Sequence, residues 1–345
     1  MCGYVGYFEK NNYNVNEKVF IEIINTLYSR GPDNIGYQKY SLPNGNLNFG
    51  HRRLSILDLT SKANQPMLSE EKRYSIIYNG EIYNHVNLRK NADLVKKNNW
   101  RGTGDTETLL RLFEIYSFEK VLEIIDGMFS FALFDHKKNL LFLARDRSGE
   151  KPLYISTNSD FLAFSSDLKA FKKFPNFNNE LNKNSLNKFL NYNYIPSPET
   201  IYKGIFKLPQ GSFIKIDLNN YKLERHMNFK DLINSNDIEY KKWWSIKDFY
   251  NKKSTQITEK TNYIDLINNN LLNSVNQQLI SDVPLGVFLS GGIDSTLITC
   301  LMKKINPNTN SFSIGFEFSN YDESKYAENI ANYLGINHNS YICNK

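Results

Sequence analysis

The sequence predicts an α+β chain in two parts, a strand-dense layered domain followed by the start of a parallel-sheet α/β domain. Three observations carry this. Short β-rich runs bounded by turn residues recur from Gly3 to Ile216, with few helical segments among them. A fresh helical periodicity begins at Ile264, after a polar and weakly patterned stretch. Strand, helix, strand and helix then alternate, the order of a βαβ unit. A chain of 345 residues suits about two domains. The expected boundaries are 2–217 for the first domain, 218–262 for a connector and 263–345 for the second domain.

Composition narrows the class. The hydrophobic fraction of 41% and charged fraction of 23% are those of a globular chain. Lys+Arg 42 less Asp+Glu 36 leaves +6, with no stripe of basic residues interleaved with aromatics, so nucleic acid is not an expected partner. No apolar run approaches the roughly 18 residues that span a bilayer, and no membrane partner is expected. The N-terminus lacks the basic and apolar regions of a signal peptide. Cys2, Cys300 and Cys343 are odd in number and scattered, which fits a reducing compartment and a cytoplasmic protein.

In chain order, residues 3–8 read as a strand. Residues 17–30 carry a helical face of Val19, Phe20, Ile23, Ile24 and Leu27, stopped by Gly31 and Pro32. Residues 74–78 read as a strand ending at the turn pair Asn79-Gly80. Asp105 reads as the N-cap of a helix over 106–116, its carboxylate accepting orphan N–H groups. Residues 128–134 and 140–144 form a hairpin, and strands continue over 153–155, 161–165 and 205–216. In the second part, Ile264, Ile267, Leu271, Val275 and Leu279 mark an amphipathic helix. Residues 283–289 are a buried-strand candidate, followed by a helix over 293–304, a strand over 311–316 and a helix over 323–334.

Cys2 is the first candidate for chemistry. Loss of Met1 leaves a residue with both a thiol and an α-amine. The thiol, of ordinary pKa ~8.5, needs a base; the amine, at ~7.7–8.0, is far better poised for that than a lysine. One residue then supplies nucleophile and base. By itself Cys2 also reads as an ordinary second residue.

Its company decides more. Cys2-Gly3-Tyr4-Val5-Gly6, Arg30-Gly31-Pro32-Asp33, His51-Arg52-Arg53-Leu54-Ser55-Ile56, Tyr78-Asn79-Gly80-Glu81-Ile82-Tyr83-Asn84, Gly104-Asp105-Thr106-Glu107 and Ala144-Arg145-Asp146 follow one another along the chain. In this order they resemble the class II glutamine amidotransferases, and within them the glutaminase half of glutamine-hydrolysing asparagine synthetases. The resemblance implies an N-terminal-nucleophile αββα sandwich in which Cys2 attacks the glutamine carboxamide. It implies that the Asn79 side chain and the Gly80 N–H stabilise the oxyanion, Gly80 also allowing close backbone approach. It implies that Arg53 grips the α-carboxylate, that Asp105 with Glu81 receives the α-ammonium, and that Leu54, Ser55, Ile56 and Leu57 line the pocket. Arg52 competes with Arg53 on residue type, and only motif register selects between them. Arg30 and Asp33 read as loop supports.

Leu289-Ser290-Gly291-Gly292-Ile293-Asp294-Ser295 joins a strand to a helix, where small residues expose successive N–H groups at a helix N-terminus. No Gly-Lys-Ser/Thr follows, so it is not a Walker loop. It resembles the pyrophosphate loop of ATP pyrophosphatases. That implies ATP held by Ser290, Gly291, Gly292 and Ser295, Mg²⁺ beside Asp294, and adenosine against Leu289 and Ile314. Core packing is the plainer reading of the last two. The resemblance as a whole implies glutamine, aspartate and ATP as substrates, asparagine, glutamate, AMP and pyrophosphate as products, and allows a homodimer. It also implies family members that continue past Lys345, so a C-terminally truncated chain is expected to hydrolyse glutamine and to make asparagine poorly. Amidation of a different carboxylate, glutaminase activity alone, or a catalytically silent binding chain remain alternatives.

Overall fold

Strand β1 (Gly3–Lys10) shows why the first part forms a sandwich. Its side chains alternate, so Tyr4 and Phe8 join one apolar core while Val5 and Tyr7 join another. A strand buried on both faces needs a layer on each side. The computed structural model describes residues 2–10, 15–91, 99–250, 262–317 and 322–343. It divides into two units, Met1–Lys253 and Ser254–Lys345.

In the first unit, β1 lies in a six-stranded sheet of order β10-β8-β9-β1-β3-β2. Its members are β2 (Asn34–Leu42), β3 (Gly45–Arg53), β8 (Tyr154–Thr157), β9 (Phe161–Ser165) and β10 (Ile205–Lys207). The second six-stranded sheet runs β12-β11-β7-β6-β5-β4. It comprises β4 (Met67–Leu68), β5 (Tyr74–Ile82), β6 (Gly127–Asp135), β7 (Leu140–Arg145), β11 (Ser212–Asp217) and β12 (Ile238–Lys242). Tyr4, Phe8, Leu47, Ile77, Leu143 and Ile214 meet between the sheets. On the outer faces, Ile76, Tyr78 and Phe131 pack with Leu109 and Phe113 of helix Asp105–Ile115, and Val5 and Tyr7 pack with Phe20 and Ile24 of helix Glu17–Asn25. The result is the αββα sandwich expected above.

Three local expectations change. β5 runs on through Asn79 and Gly80 to Ile82, paired along its length with β6 from Tyr74↔Asp135 to Ile82↔Gly127, so the Asn-Gly pair is strand and not a turn. Gly104, not Asp105, is the N-cap, and Asp105 is the first residue of its helix. The stretch expected to connect the domains supplies β12, and Leu223, Leu232 and Ile238 from it enter the inter-sheet core. Its apolar residues are too widely spaced to show a period, and the edge of β11 and the inter-sheet core give them partners.

The second unit holds the parallel sheet β13-β14-β15, with β13 (Gly286–Phe288), β14 (Asn310–Phe316) and β15 (Asn337–Cys343). Helices Tyr263–Gln277, Ile293–Ile305 and Ser324–Leu334 cover one face through Val275, Leu301, Met302, Ala327 and Ala331. The βαβ order was legible; β15 was not, because its polar Asn-His-Asn-Ser run hides a strand. Among the described residues, no helix is long and apolar enough to cross a membrane.

Candidate active site

Cys2 immediately precedes β1, so the sheet places it. Gly3 lies opposite Arg52 of β3, and the chain leaving β3 passes over the thiol. Leu54 N is 3.4 Å from Cys2 Sγ, and the Leu54 carbonyl oxygen is 3.6 Å away. Arg30 Nε donates to the Cys2 carbonyl at 3.2 Å, a support role consistent with its sequence reading. Burial pushes the Cys2 thiol up from its ordinary pKa, which keeps it protonated until a base acts.

β5 forms the facing wall. The Tyr78 N–H donates to Gln65 Oε1 at 2.7 Å and the Ile82 N–H to Asp105 Oδ2 at 2.9 Å. Both point away from β6. By the two-residue alternation of a strand, the Gly80 N–H between them points the same way, into the recess that Cys2, Asn79 and Gly80 line. The Asn79 side chain is 1% exposed, and among the described residues neither its Nδ2 nor its Oδ1 has a partner. Two adjacent donors thus line the same recess as the half-buried Cys2. The close approach at Gly80 is to β6: a Cβ there would stand 2.2 Å from the Met128 carbonyl oxygen.

Alternation along the strand separates the two arginines. Arg52 and Arg53 fall on opposite faces of β3. The Arg52 guanidinium sits 5.1 Å from the Tyr28 ring centroid and bonds Asn25, outside the recess. Arg53 is buried in the recess wall, donating to the Thr60 carbonyl at 2.7 Å, Asn64 Oδ1 at 2.9 Å, the Leu57 carbonyl at 3.2 Å and the Asp58 carbonyl. These acceptors are neutral, so its charge remains available to an anion. The recess is also lined by two carboxylates, Asp105 and Glu81. Burial, then Asp105, pushes the Glu81 carboxyl up. Arg53 and Lys151 are the cations of the lining and Asp105 and Glu81 its carboxylates, so the recess carries both charges needed to complement the carboxylate and ammonium of an α-amino acid. Leu54, Ile56 and Leu57 line the recess. Ser55 does not, and its N–H is taken by Asp33 Oδ2 at 2.7 Å.

In the second unit, Gly291 adopts φ +86 and packs against Tyr326, where a Cβ would come within 2.7 Å of the tyrosine Cβ. The Ser290 N–H donates to Ser295 Oγ at 3.2 Å, and the two hydroxyls are 3.0 Å apart. Helix Ile293–Ile305 starts after Gly292 with no side-chain cap, leaving its first N–H groups open, with Asp294 in its first turn. The loop therefore has the donors of an anion cradle. Leu289 and Ile314 are not brought together. Leu289 is buried with Ala327 and Ala331, whereas Ile314 is 56% exposed on the opposite, uncovered face. Among the described residues, no group of three or more His, Cys, Asp or Glu could hold a metal.

Comparison with known proteins adds the family. The profile of the glutamine amidotransferase domain matches residues 1–227, about two thirds of the chain. The chain belongs to this family. The asparagine synthase profile matches residues 266–345 of the same chain. Asparagine synthetase [glutamine-hydrolyzing] 1 of Bacillus subtilis is 33% identical, over 97% of this chain and 49% of its own length. A Methanocaldococcus jannaschii relative is 32% identical, over 99% of this chain and 64% of its own. The chain thus spans about half to two thirds of the length of these relatives. Among solved structures, glutamine PRPP amidotransferase from B. subtilis, complexed with ADP and GMP, aligns with a TM-score of 0.47 at 14% identity, covering 98% of this chain and 65% of that one.

Four polar recess residues of the amidotransferase domain escaped the sequence reading: Gln65, Tyr78, Thr106 and Lys151. Tyr78 stood inside a quoted motif without a role. Lys151 had a signal in Arg145-Asp146. Asp146 accepts from the Glu150 and Lys151 N–H groups at 2.9 and 3.0 Å, and Arg145 Nε donates to the Lys151 carbonyl at 2.8 Å. That pair folds the loop that carries Lys151 to the recess.

Proposed function

We propose that this chain is the glutamine-hydrolysing part of an asparagine synthetase, with Cys2 as nucleophile. The observation that carries the reading is the Asn79 amide, without a partner among the described residues, buried in the recess that Cys2 also lines and next to the inward-pointing Gly80 N–H. With Met1 removed, the α-amine of Cys2 takes the thiol proton as Sγ attacks the glutamine carboxamide carbon. Asn79 Nδ2 and Gly80 N–H donate to the oxyanion. The amine returns the proton to the departing nitrogen, ammonia leaves, and a thioester to Cys2 remains. Water hydrolyses it to glutamate and regenerates the thiol. Arg53 holds the α-carboxylate, Asp105 with Glu81 holds the α-ammonium, and Leu54, Ile56 and Leu57 close the pocket. Residues 2–217 form the glutaminase domain, with β12 completing its sheet from the connector 218–262.

The second half of the proposal rests on the asparagine synthase match over 266–345. The uncapped first-turn N–H groups that follow Gly292, with Ser290, Gly291, Gly292 and Ser295 beside them, suit the phosphates of ATP, and Asp294 is the carboxylate at hand for Mg²⁺, a hard ion that needs few protein ligands when phosphates share it. ATP bound there supplies the activation of the aspartate carboxylate that ammonia then converts to asparagine, with AMP and pyrophosphate released. An odd, scattered set of three cysteines suits the cytoplasm.

The test is ammonia release from glutamine by the purified chain and its Cys2→Ala variant, with intact-mass analysis of the first. Loss of activity in the variant and absence of Met1 from the active form are expected. Undiminished ammonia release by Cys2→Ala overturns the reading.

A further inference from the structure

The Tyr78 hydroxyl has no part in the scheme above, yet it is buried at the recess wall. It donates to Asp105 Oδ2 at 2.7 Å. The Ile82 N–H donates to the same oxygen at 2.9 Å, so Oδ1 takes no share in either bond. Burial keeps the Tyr78 phenol protonated, its pKa raised well above the ordinary value, so the phenol is the donor and the carboxylate the acceptor. The ring is packed in the apolar core with Ile76, Leu109 and Phe131, and the backbone that carries it is held as well. The Tyr78 N–H is bound by Gln65 Oε1 at 2.7 Å, and its carbonyl lies 3.1 Å from His51 Nε2. A helix-end carboxylate free to swing has instead been locked from the strand side through one oxygen.

We propose that the Tyr78 hydroxyl orients the Asp105 carboxylate toward the α-ammonium of the substrate, making Tyr78 a positioning residue that selects α-amino acid amides over plain carboxamides. The inference rests on the glutaminase reading and deepens it. Asp105 meets the ammonium in ground state and transition state alike, so misplacing it weakens binding more than turnover. Its loss falls on the substrate's amino group and on nothing else in the molecule.

The experiment compares glutamine with glutaramate, the same amide without the α-amine, as substrates of the full chain, Tyr78→Phe, Asp105→Asn and the double variant. For Tyr78→Phe with glutamine, KM rises about tenfold, the scale of one hydrogen bond to a charged group, and kcat falls less than KM rises. The loss in kcat/KM is several-fold larger for glutamine than for glutaramate, and Tyr78→Phe adds no further loss in the Asp105→Asn background. Equal losses on both substrates, or additive losses in the double variant, overturn the proposal and leave the Cys2 reading standing. Failure of the unsubstituted chain to release ammonia from glutamine overturns both.

Discussion

Replacing Asn79 by leucine separates the function of this side chain from its contribution to stability. The Asn79 amide is 1% exposed and both its polar atoms lack partners among the described residues. An unsatisfied buried polar group costs about 1–3 kcal/mol. Leucine has nearly the same size and no polar atoms, and a volume-conserving swap costs less than about 1.5 kcal/mol in packing. The midpoints of these ranges favour the variant by about 1 kcal/mol. For a unit of about 250 residues that is a Tm increase of roughly 2–4 °C. The same change removes one oxyanion donor, which is worth about 10²–10³ in kcat. Thermal unfolding and ammonia release at saturating glutamine are the two assays, run on the same preparation. A variant that melts higher and turns over about a hundredfold more slowly, or worse, is the expected result. Asn79→Leu with near-normal turnover refutes the oxyanion role. A variant that melts several degrees lower refutes the claim that the amide is held at a cost.

Two further predictions follow from the same wall of the recess. Arg53→Lys, which cannot reproduce four acceptor contacts with one ammonium, raises the KM for glutamine by about tenfold or more, whereas Arg52→Lys, on the other face of β3, leaves it nearly unchanged; steady-state kinetics giving equal effects would remove Arg53 from its assigned role. His51 is buried beside Tyr78, and desolvation lowers its pKa from 6.5 to about 4. The unfolded chain therefore binds this proton more readily than the folded one between those values, so the His51 contribution is fully present above pH 6.5 and falls as pH drops toward 4. The loss from pH 7 to pH 5 is about 2 kcal/mol. Denaturant midpoints at the two pH values measure it, and His51→Gln should flatten the slope; an unchanged slope in that variant rules His51 out as the cause.

The comparison of sequence and structure is most instructive within β5. The strand was visible from 74 to 78 because apolar residues dominate there. Its continuation through Asn79-Gly80 was not, since those residues favour turns when no neighbour constrains them. Pairing with β6 overrides the local preference, and the missing Cβ of Gly80 is what allows that pairing. Asp105 shows the same override. Its residue type and place before a helix read as a cap, yet the Tyr78 hydroxyl and Ile82 N–H, 27 and 23 residues earlier, claim its carboxylate.

Local chemistry alone therefore determined a good deal: an amino-terminal thiol able to carry its own base, a Ser-Gly-Gly loop opening a helix, a two-part α+β chain and the order of its motifs. These are properties of residue type and near spacing, and they survive in any conformation. What the folded chain decided is which partner each group meets. Arg53 rather than Arg52, Gly104 rather than Asp105 as the cap, Ser55 turned away and Tyr78 and Lys151 turned in all depend on strands far apart in sequence lying about 5 Å apart in space. A side chain's role follows from the field and contacts around it, and those come from the other strand.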